Sequence, residues 1–311
     1  MRVIVALGGN AVLERGQKAD ADVQLANVRT AVKTLARLAV EHELVITHGN
    51  GPQVGMLAVE SSADPDLSRP YPLDTLVAQT QGMIGYWMQQ NLQNALPGRQ
   101  VLSMVTQTLV TAVDPAFEQP AKFVGRVYDQ EEAEKLAAEY GWTVAQDGPH
   151  WRRVVPSPTP RRIVETRLIR KMIREGVVVI CAGGGGIPVV RDESGRLIGV
   201  EAVVDKDLTA ALLAESLECD AFLILTDVPR VMRGFGTPQE TEIAHTTPHE
   251  LRTMEFPAGS MGPKVDAVCR FVENTGDMAA IGKLDQAERI LDGSAGTIVT
   301  PNGRWPLTST L

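Results

Sequence analysis

The sequence predicts a doubly wound α/β protein with a mainly parallel central sheet. Short runs of β-branched residues alternate along the chain with longer stretches that have helical spacing. The strand-like runs VVVI (177–180) and FLIL (222–225) are apolar throughout. Strands that are apolar on both faces are typical of a parallel sheet that helices cover on both sides.

The elements follow in order from this alternation. The first strand, 2–7, reads RVIVAL, and the first helix, 23–41, places Val28, Val32 and Leu35 at helical spacing. The predicted strands are 2–7, 44–48, 100–106, 177–182, 221–226, 277–281 and 295–299, and the predicted helices are 23–41, 52–61, 73–95, 164–175, 207–218 and 262–274.

Two segments interrupt this rhythm. Residues 113–162 are richer in proline and polar residues and contain one helix-like run at 129–140. They predict an inserted subdomain or lid that stands off the main sheet. Residues 228–246 predict a hairpin and a loop.

Composition excludes several kinds of partner and site. The chain has 311 residues and a net charge of −8, with scattered Lys and Arg, so neither nucleic acid nor an anionic membrane is expected as a partner. Cys181, Cys219 and Cys269 lie far apart in apolar runs and predict reduced core cysteines. Because the chain starts in a strand-like run and lacks a membrane-length apolar stretch, we expect a cytoplasmic protein.

Three glycine-rich segments directly follow predicted strands. They are Gly8-Gly9-Asn10, Gly49-Asn50-Gly51 and Gly183 to Gly186. Glycine lets an anion approach backbone N–H groups, and ligands of open parallel sheets bind at the carboxyl ends of the strands. Any one loop could be a simple turn, but three at equivalent positions predict an oxyanion or phosphate site. Neither GxxxxGK[ST] nor GxGxxG is present, which argues against a P-loop and a dinucleotide-binding fingerprint.

Charge for such a site would come from lysines elsewhere. Lys206 is out of place between Asp205 and Asp207, because a helix N-terminus prefers acids, whereas the two aspartates are unremarkable as caps. Lys264 lies in a small-residue loop that runs into a helix, and Lys122 lies in the insertion, where context alone favours an ordinary surface lysine.

No catalytic triad, glycosidase carboxylate pair or metal-binding histidine spacing is evident. His48 precedes Gly49 and is compatible with either a site residue or a packed strand-end histidine.

Eight stretches together resemble the carbamate kinases of the amino-acid kinase superfamily, over about residues 2–300. They are ALGGNA, HGNGPQVG, PLDTLVAQTQGMIGYW, WRRVVPSPTP, CAGGGGIPVV, GVEAVVDKD, ILTDV and PAGSMGPK, in this order. The PLDT and VVPSP stretches resemble carbamate kinases in particular. The resemblance implies an open αβα sandwich with a small protruding subdomain, a homodimer, and reversible phosphoryl transfer between ATP and carbamate with Mg²⁺.

The same resemblance implies roles for individual residues. The phosphoryl group and carbamate would be held by Gly8, Gly9, Asn10, Gly49, Asn50 and Gly51. Catalysis would depend on Lys206 oriented with Asp205, on Lys122 reaching in from the subdomain, and on Lys264 at the nucleotide phosphates. Thr226, Asp227, Met261 and Pro263 would lie on the nucleotide side, and Mg²⁺ would bind through the phosphates, with no protein residue assigned as its ligand. We accordingly divide the chain into an N-terminal lobe, 1–220, and a nucleotide-binding C-terminal lobe, 221–311.

The chain departs from the family pattern at two places. Related kinases tend to read TDVDxVY where this chain has TDVPRVM (226–232), which bears on nucleotide affinity, and the tail NGRWPLTSTL (302–311) has no assigned role. Three functions therefore stay open here: a carbamate kinase working towards ATP synthesis, another small-acid kinase of the superfamily, and a non-catalytic nucleotide or carbamoyl-phosphate sensor. The lack of a first-strand lysine argues against the second, and the three retained lysines argue against the third.

Overall fold

The structure is a computed structural model that describes residues 1–14, 16–257 and 259–305. Its strands are β1 (Arg2–Leu7), β2 (Glu43–His48), β3 (Val101–Ser103), β4 (Gln107–Leu109), β5 (Lys122–Tyr128), β6 (Thr143–Asp147), β7 (His150–Val155), β8 (Arg162–Ile163), β9 (Val178–Ile180), β10 (Ile187–Arg191), β11 (Leu197–Gly199), β12 (Ala221–Thr226), β13 (Val231–Arg233), β14 (Thr241–Ile243), β15 (His245–Thr246), β16 (Met278–Lys283) and β17 (Thr297–Val299). Its α-helices are α1 (Ala21–Glu41), α2 (Gly51–Ala63), α3 (Leu73–Ala95), α4 (Gln130–Tyr140), α5 (Thr166–Arg174), α6 (Lys206–Ser216), α7 (Pro248–Arg252), α8 (Met261–Thr275) and α9 (Ala287–Leu291).

The central sheet has the strand order β15-β17-β16-β12-β1-β2-β9-β3 among the described residues. Neighbours from β16 to β3 pair in parallel, and β17 pairs antiparallel with β16. The sheet is therefore mainly parallel, as the sequence predicted. The central sheet includes β12, which begins directly after residue 220. The proposed division into two lobes at that residue stays a prediction. Residues 306–311 of the predicted C-terminal lobe and tail lie outside the described residues.

Side-chain alternation along the strands divides the core into two layers. On β1, Ile4 and Ala6 face a cluster that includes residues of α5, α6 and α8. The alternate residues of β1, Val3 and Val5, face a second cluster that includes residues of α1 and α3. Successive strand residues point to opposite faces, so a strand apolar throughout can be buried on both. The result is the expected αβα sandwich.

The predicted strand 100–106 was wrong in its extent, because the chain turns into a second sheet. The side-chain amide of Gln81 binds both backbone groups of Thr106, with Oε1 accepting from N at 2.9 Å and Nε2 donating to O at 3.1 Å. These bonds replace the ladder of the central sheet between β3 and β4. The strand β4 then joins a four-stranded sheet of order β11-β10-β4-β8, which the sequence reading did not anticipate.

The insertion forms a compact unit within the predicted segment. Strands β5, β7 and β6 make an antiparallel sheet, and α4 begins at an Asp129 N-cap and ends at Gly141, whose φ is 68°. A Cβ on Gly55 of α2 would lie 2.2 Å from the Cα of Gly125 on β5, so only glycine permits this approach. Helix α2 therefore packs directly against β5 of the inserted unit.

The three cysteines are free and buried, as predicted. Burial raises the pKa of Cys219 to about 12 and that of Cys269 to about 11, so both stay protonated thiols at neutral pH. The helices among the described residues all fall short of the length or the apolar character that a membrane span requires. Residues 228–246 contain the β13–β14 hairpin, as expected.

Candidate active site

A cleft of about 610 Å³ opens at the carboxyl ends of β1, β2 and β12. Every residue to which the family resemblance assigned a role lines it, namely Gly8, Gly9, Asn10, Gly49, Asn50, Gly51, Lys122, Asp205, Lys206, Thr226, Asp227, Met261, Pro263 and Lys264. Helices α2, α6 and α8 each begin at a residue of this lining, so their positive ends converge on the cleft. The arrangement therefore suits an anionic ligand.

The first two glycine loops touch each other at the floor of the cleft. A Cβ on Gly49 would lie 2.9 Å from the backbone N of Gly9, so the approach requires glycine at position 49. A Cβ on Gly9 or Gly51, by contrast, would meet no atom within 4 Å. Position 49 thus requires glycine because of packing within the protein, whereas the backbone at Gly9 and Gly51 is open to a ligand.

The third glycine loop differs from the expectation. Of Gly183 to Gly186, Gly184 lines the cleft, but all four residues are buried. A Cβ on Gly183 would lie 2.4 Å from the His48 ring, and one on Gly184 would lie 2.0 Å from Nδ2 of Asn50. This loop lacks side chains mainly because its backbone packs against the second loop and adopts positive φ angles. Reading all of it as ligand-facing was therefore wrong.

Asn50 and His48 are held inside the protein. The Nδ2 of Asn50 donates to Oγ1 of Thr80 at 2.8 Å, and Asn50 is buried. His48 is 1% exposed, and its Nδ1 lies 3.0 Å from the carbonyl oxygen of Gly49. Burial lowers the pKa of His48 to about 4, with a smaller contribution from Lys206, so the ring is neutral at physiological pH. Of the two readings left open for this histidine, the packed strand-end residue is the one the geometry favours.

Three lysines meet two carboxylates in the cleft. Asp207 binds the Nζ of Lys206 through Oδ1 and the Nζ of Lys264 through Oδ2, the latter at 2.8 Å. Lys122 extends from β5 and places its Nζ 2.9 Å from Oδ2 of Asp205. The other oxygen of Asp205 accepts from the backbone N of Asp207 at 2.9 Å, so this residue also caps α6.

Burial and charge act in opposite directions on these groups. Burial alone would raise the pKa values of both aspartates, but the neighbouring lysines outweigh it and hold both below their usual range. For Asp205 the dominant neighbour is Lys122. Burial lowers the pKa of Lys206, which the charge of Asp207 partly offsets. The carboxylates are therefore ionised at neutral pH, and each keeps its lysines in place.

Thr226, Asp227, Met261 and Pro263, which the family resemblance placed on the nucleotide side, also line the cleft. The Nδ2 of Asn10 donates to Oδ2 of Asp227 at 2.7 Å, which connects the first glycine loop to the end of β12. Two aromatic side chains that the sequence did not single out, Phe235 and Phe256, also line the cleft, together with Met232 of the stretch that departs from the family pattern. The β13 strand beside them is anchored, because the Nε of Arg230 donates to the carbonyl oxygen of Gly296 at 3.1 Å.

Comparisons with known proteins identify the family. A model of the amino acid kinase family matches residues 1–282. The chain is 51% identical over 304 residues to the carbamate kinase of Rhizobium meliloti (strain 1021), covering 96% of this chain and 93% of that protein. It is 49% identical over 298 residues to the carbamate kinase of Escherichia coli (strain K12), covering 96% and 99%. The chain belongs to the carbamate kinases of the amino acid kinase family.

A solved structure agrees with this assignment. The carbamate kinase from Giardia lamblia bound to AMP-PNP superposes with a TM-score of 0.88 at 40% identity, covering 96% of this chain and 98% of that one. The resemblance read from the eight motif stretches is thereby confirmed, as is the predicted fold class.

Sequence reasoning missed Asp207 as a site residue. It was taken for an ordinary helix-start acid, yet it is 4% exposed and joins two cleft lysines. One signal could have revealed it, because a buried lysine at a helix start needs a counter-charge close by. Phe235 gave no such signal, since an isolated aromatic in a loop is compatible with many surroundings.

Proposed function

We propose that this protein transfers a phosphoryl group reversibly between carbamoyl phosphate and ADP, which yields carbamate and ATP, and that it works mainly towards ATP synthesis. The observation that carries the proposal is the convergence of Lys122, Lys206 and Lys264 on a cleft whose floor consists of open glycine backbone. In phosphoryl transfer, charge spreads over three equatorial oxygens, and catalysis depends on positioning and on charge neutralisation.

The floor of the cleft would hold the phosphoryl group and carbamate. The space beside the backbone at Gly9 and Gly51 is open, because an added Cβ would meet no atom within 4 Å, and α2 adds its positive end at Gly51. Lys206 lies directly above this floor, since its Cε would be 3.5 Å from a Cβ on Gly49. Lys206 would therefore contact the phosphoryl group in transfer, with Asp205 fixing the helix start from which it extends.

The two other lysines would act from opposite sides. Lys264, at the start of α8, would contact the nucleotide phosphates, with Met261 and Pro263 towards the base and Thr226 and Asp227 beneath the ribose and phosphates. Lys122 would neutralise charge on the carbamoyl side from the inserted unit. Each lysine ammonium has three donors, so it can bind a substrate oxygen while it keeps its carboxylate partner.

The chemistry requires no strong general base. Carbamate is already an anion and a nucleophile, so no proton has to be removed before it attacks the phosphoryl group. This agrees with the position of His48, which is buried and lies outside the cleft lining. The protein's contribution is geometric and electrostatic.

Magnesium would accompany the nucleotide. Within the described ranges, no group of three or more His, Cys, Asp and Glu side chains is placed to hold a metal ion. Mg²⁺ commonly binds through substrate phosphates with one or two carboxylates, and Asp227 lies in the cleft as a carboxylate of this kind. When bound, the ion would neutralise phosphate charge, while the lysines orient the reacting groups.

A homodimer and a cytoplasmic location remain part of the proposal. Both rest on the family resemblance and on the sequence composition. Light scattering after size-exclusion chromatography measures the first directly, and a mass equal to that of one chain, 33.6 kDa, would contradict it.

The decisive experiment is ATP formation from ADP, Mg²⁺ and carbamoyl phosphate, with wild type and Lys206→Ala. Loss of one preorganised charge is expected to lower kcat about 10²-fold or more. Lys33→Ala, which removes an exposed lysine on α1, serves as the matched control and should retain activity. A wild type that binds nucleotide but makes no ATP would refute the kinase and favour a sensor. Turnover of acetylglutamate, aspartate or glutamate instead would favour another small-acid kinase.

A further inference from the structure

Three of the stretches that resemble carbamate kinases meet at one place outside the cleft floor. They are PLDT (72–75), WRRVVP (151–156) and GVEAVV (199–204). The first begins α3, the second forms β7 in the inserted unit, and the third leads to Asp205 and Lys206. We call this meeting point the junction.

Arg153 of β7 is the charged residue of the inserted unit that reaches the junction. Its Nη2 donates to Oε1 of Glu201 at 2.8 Å, and its Cζ lies 4.7 Å from the ring centroid of Trp142. The Arg153 side chain is only 13% exposed, whereas that of Glu201 is 51% exposed. A buried guanidinium that loses its carboxylate is costly, so the pair resists separation.

Glu201 is in turn fixed to α3. Its Oε2 accepts from the backbone N of Leu73, the first residue of that helix, at 2.8 Å. The neighbouring Gly199 packs so closely on the helix start that a Cβ there would lie 1.7 Å from Oδ2 of Asp74. The loop that leads to Asp205 is therefore held against a rigid helix at both Gly199 and Glu201.

The register of the β5–β7 pair places Lys122 close to the Arg153–Glu201 ion pair. In the β5–β7 ladder, Lys122 pairs with Val155 and Val124 pairs with Arg153. One residue beyond Val155, the carbonyl oxygen of Pro156 accepts from the backbone N of Val203 at 3.0 Å. Two links, Arg153 to Glu201 and Pro156 to Val203, thus lie on either side of Val155, the residue of β7 that pairs with Lys122.

We infer that Arg153 is a positioning residue, whose ion pair with Glu201 fixes the inserted unit so that Lys122 reaches the phosphoryl cleft. The inference rests on the proposed function, since it assigns Lys122 a catalytic role. Displacing a catalytic group by about 1 Å can cost on the order of 10²-fold in rate, so a modest tilt of the inserted unit would be measurable. Contact with Trp142 stabilises the inserted unit but does not connect it to the cleft.

A double-mutant cycle tests the inference in the full-length protein. Arg153→Gln is made in the wild type and in Lys122→Ala, and kcat and KM for carbamoyl phosphate are measured for ATP formation. Arg153→Gln should lower kcat roughly 10-fold or more in the wild type and by less than about twofold in Lys122→Ala, because interacting residues are not additive. Arg153→Lys should recover part of the loss. Arg37→Gln, which breaks an exposed ion pair with Glu288 on α9, should change neither value.

The outcomes separate the inference from the proposed function. The same fold-loss from Arg153→Gln in both backgrounds, or no loss in the wild type, would overturn the positioning role. A wild type that makes no ATP overturns the proposed function itself, whereas an active wild type that is unaffected by Lys122→Ala overturns only the inference. If thermal melting shows Arg153→Gln to be unfolded, Glu201→Gln takes its place in the cycle. Glu201→Gln keeps an oxygen that can accept from the backbone N of Leu73. The outcomes stated for Arg153→Gln then apply to Glu201→Gln.

Discussion

Asp207 holds Lys206 and Lys264 on one carboxylate, and Asp207→Asn removes the charge without changing the shape of the side chain. At the 2.8 Å separation from Lys264 and an effective dielectric constant of about 20, the Coulomb attraction of one pair is about 6 kcal/mol. Desolvation offsets much of this attraction. Breaking a buried pair by removing one partner costs about 3–5 kcal/mol, because the remaining charge is left buried. We expect the free energy of unfolding to fall by that amount.

The effect on catalysis should be larger than the effect on ground-state binding. Without the carboxylate, the ammonium groups of Lys206 and Lys264 repel each other. Neither is then held at the position where it would contact the phosphoryl oxygens. We expect kcat of Asp207→Asn to fall about 10²-fold, as for loss of a preorganised charge. The KM for carbamoyl phosphate should not rise, because the cleft gains net positive charge.

Urea unfolding and the ATP-formation assay measure the two effects separately. Adding ADP should restore the stability of Asp207→Asn more than that of the wild type, since phosphate oxygens supply the missing negative charge to both lysines. Glu288→Gln, in an exposed ion pair with Arg37, is the matched control and should alter neither measurement. A kcat for Asp207→Asn within about threefold of wild type would refute the reasoning.

Two further predictions concern the buried loops. The depressed pKa of His48 means that the unfolded chain binds an extra proton between pH 6.5 and about 4, so its stability contribution is present above pH 6.5 and is lost as the pH falls towards 4, by about 3 kcal/mol in total. An NMR titration of the His48 ring with a midpoint near 6.5 would contradict this. Gly184→Ala should cost at least about 3 kcal/mol in urea unfolding, against about 1–2 kcal/mol for Gly98→Ala, because both glycines have positive φ but only the first would clash. Equal losses would show that strain alone matters.

The sequence determined the layered fold because its signals are local. The apolar run 221–226 predicted a buried strand with the bounds that β12 has. The predicted helix 73–95 likewise has the bounds of α3. The motif stretches likewise predicted which residues line the cleft. Glycine and asparagine at strand ends are visible in sequence, and a parallel sheet brings those ends to one edge.

Only the tertiary structure decided which of these residues face a ligand and which face the protein. Gly9 and Gly49 look alike in sequence, yet one is open and the other packs against it. Asp207 resembles an ordinary helix-start acid until Lys264, 57 residues further along the chain, reaches it. Arg153 and Glu201 form an ion pair only because β7 lies beside the loop before α6, and Glu201 of that loop is also bonded to the start of α3. Such pairings depend on distances between segments remote in sequence, and no local pattern encodes those distances.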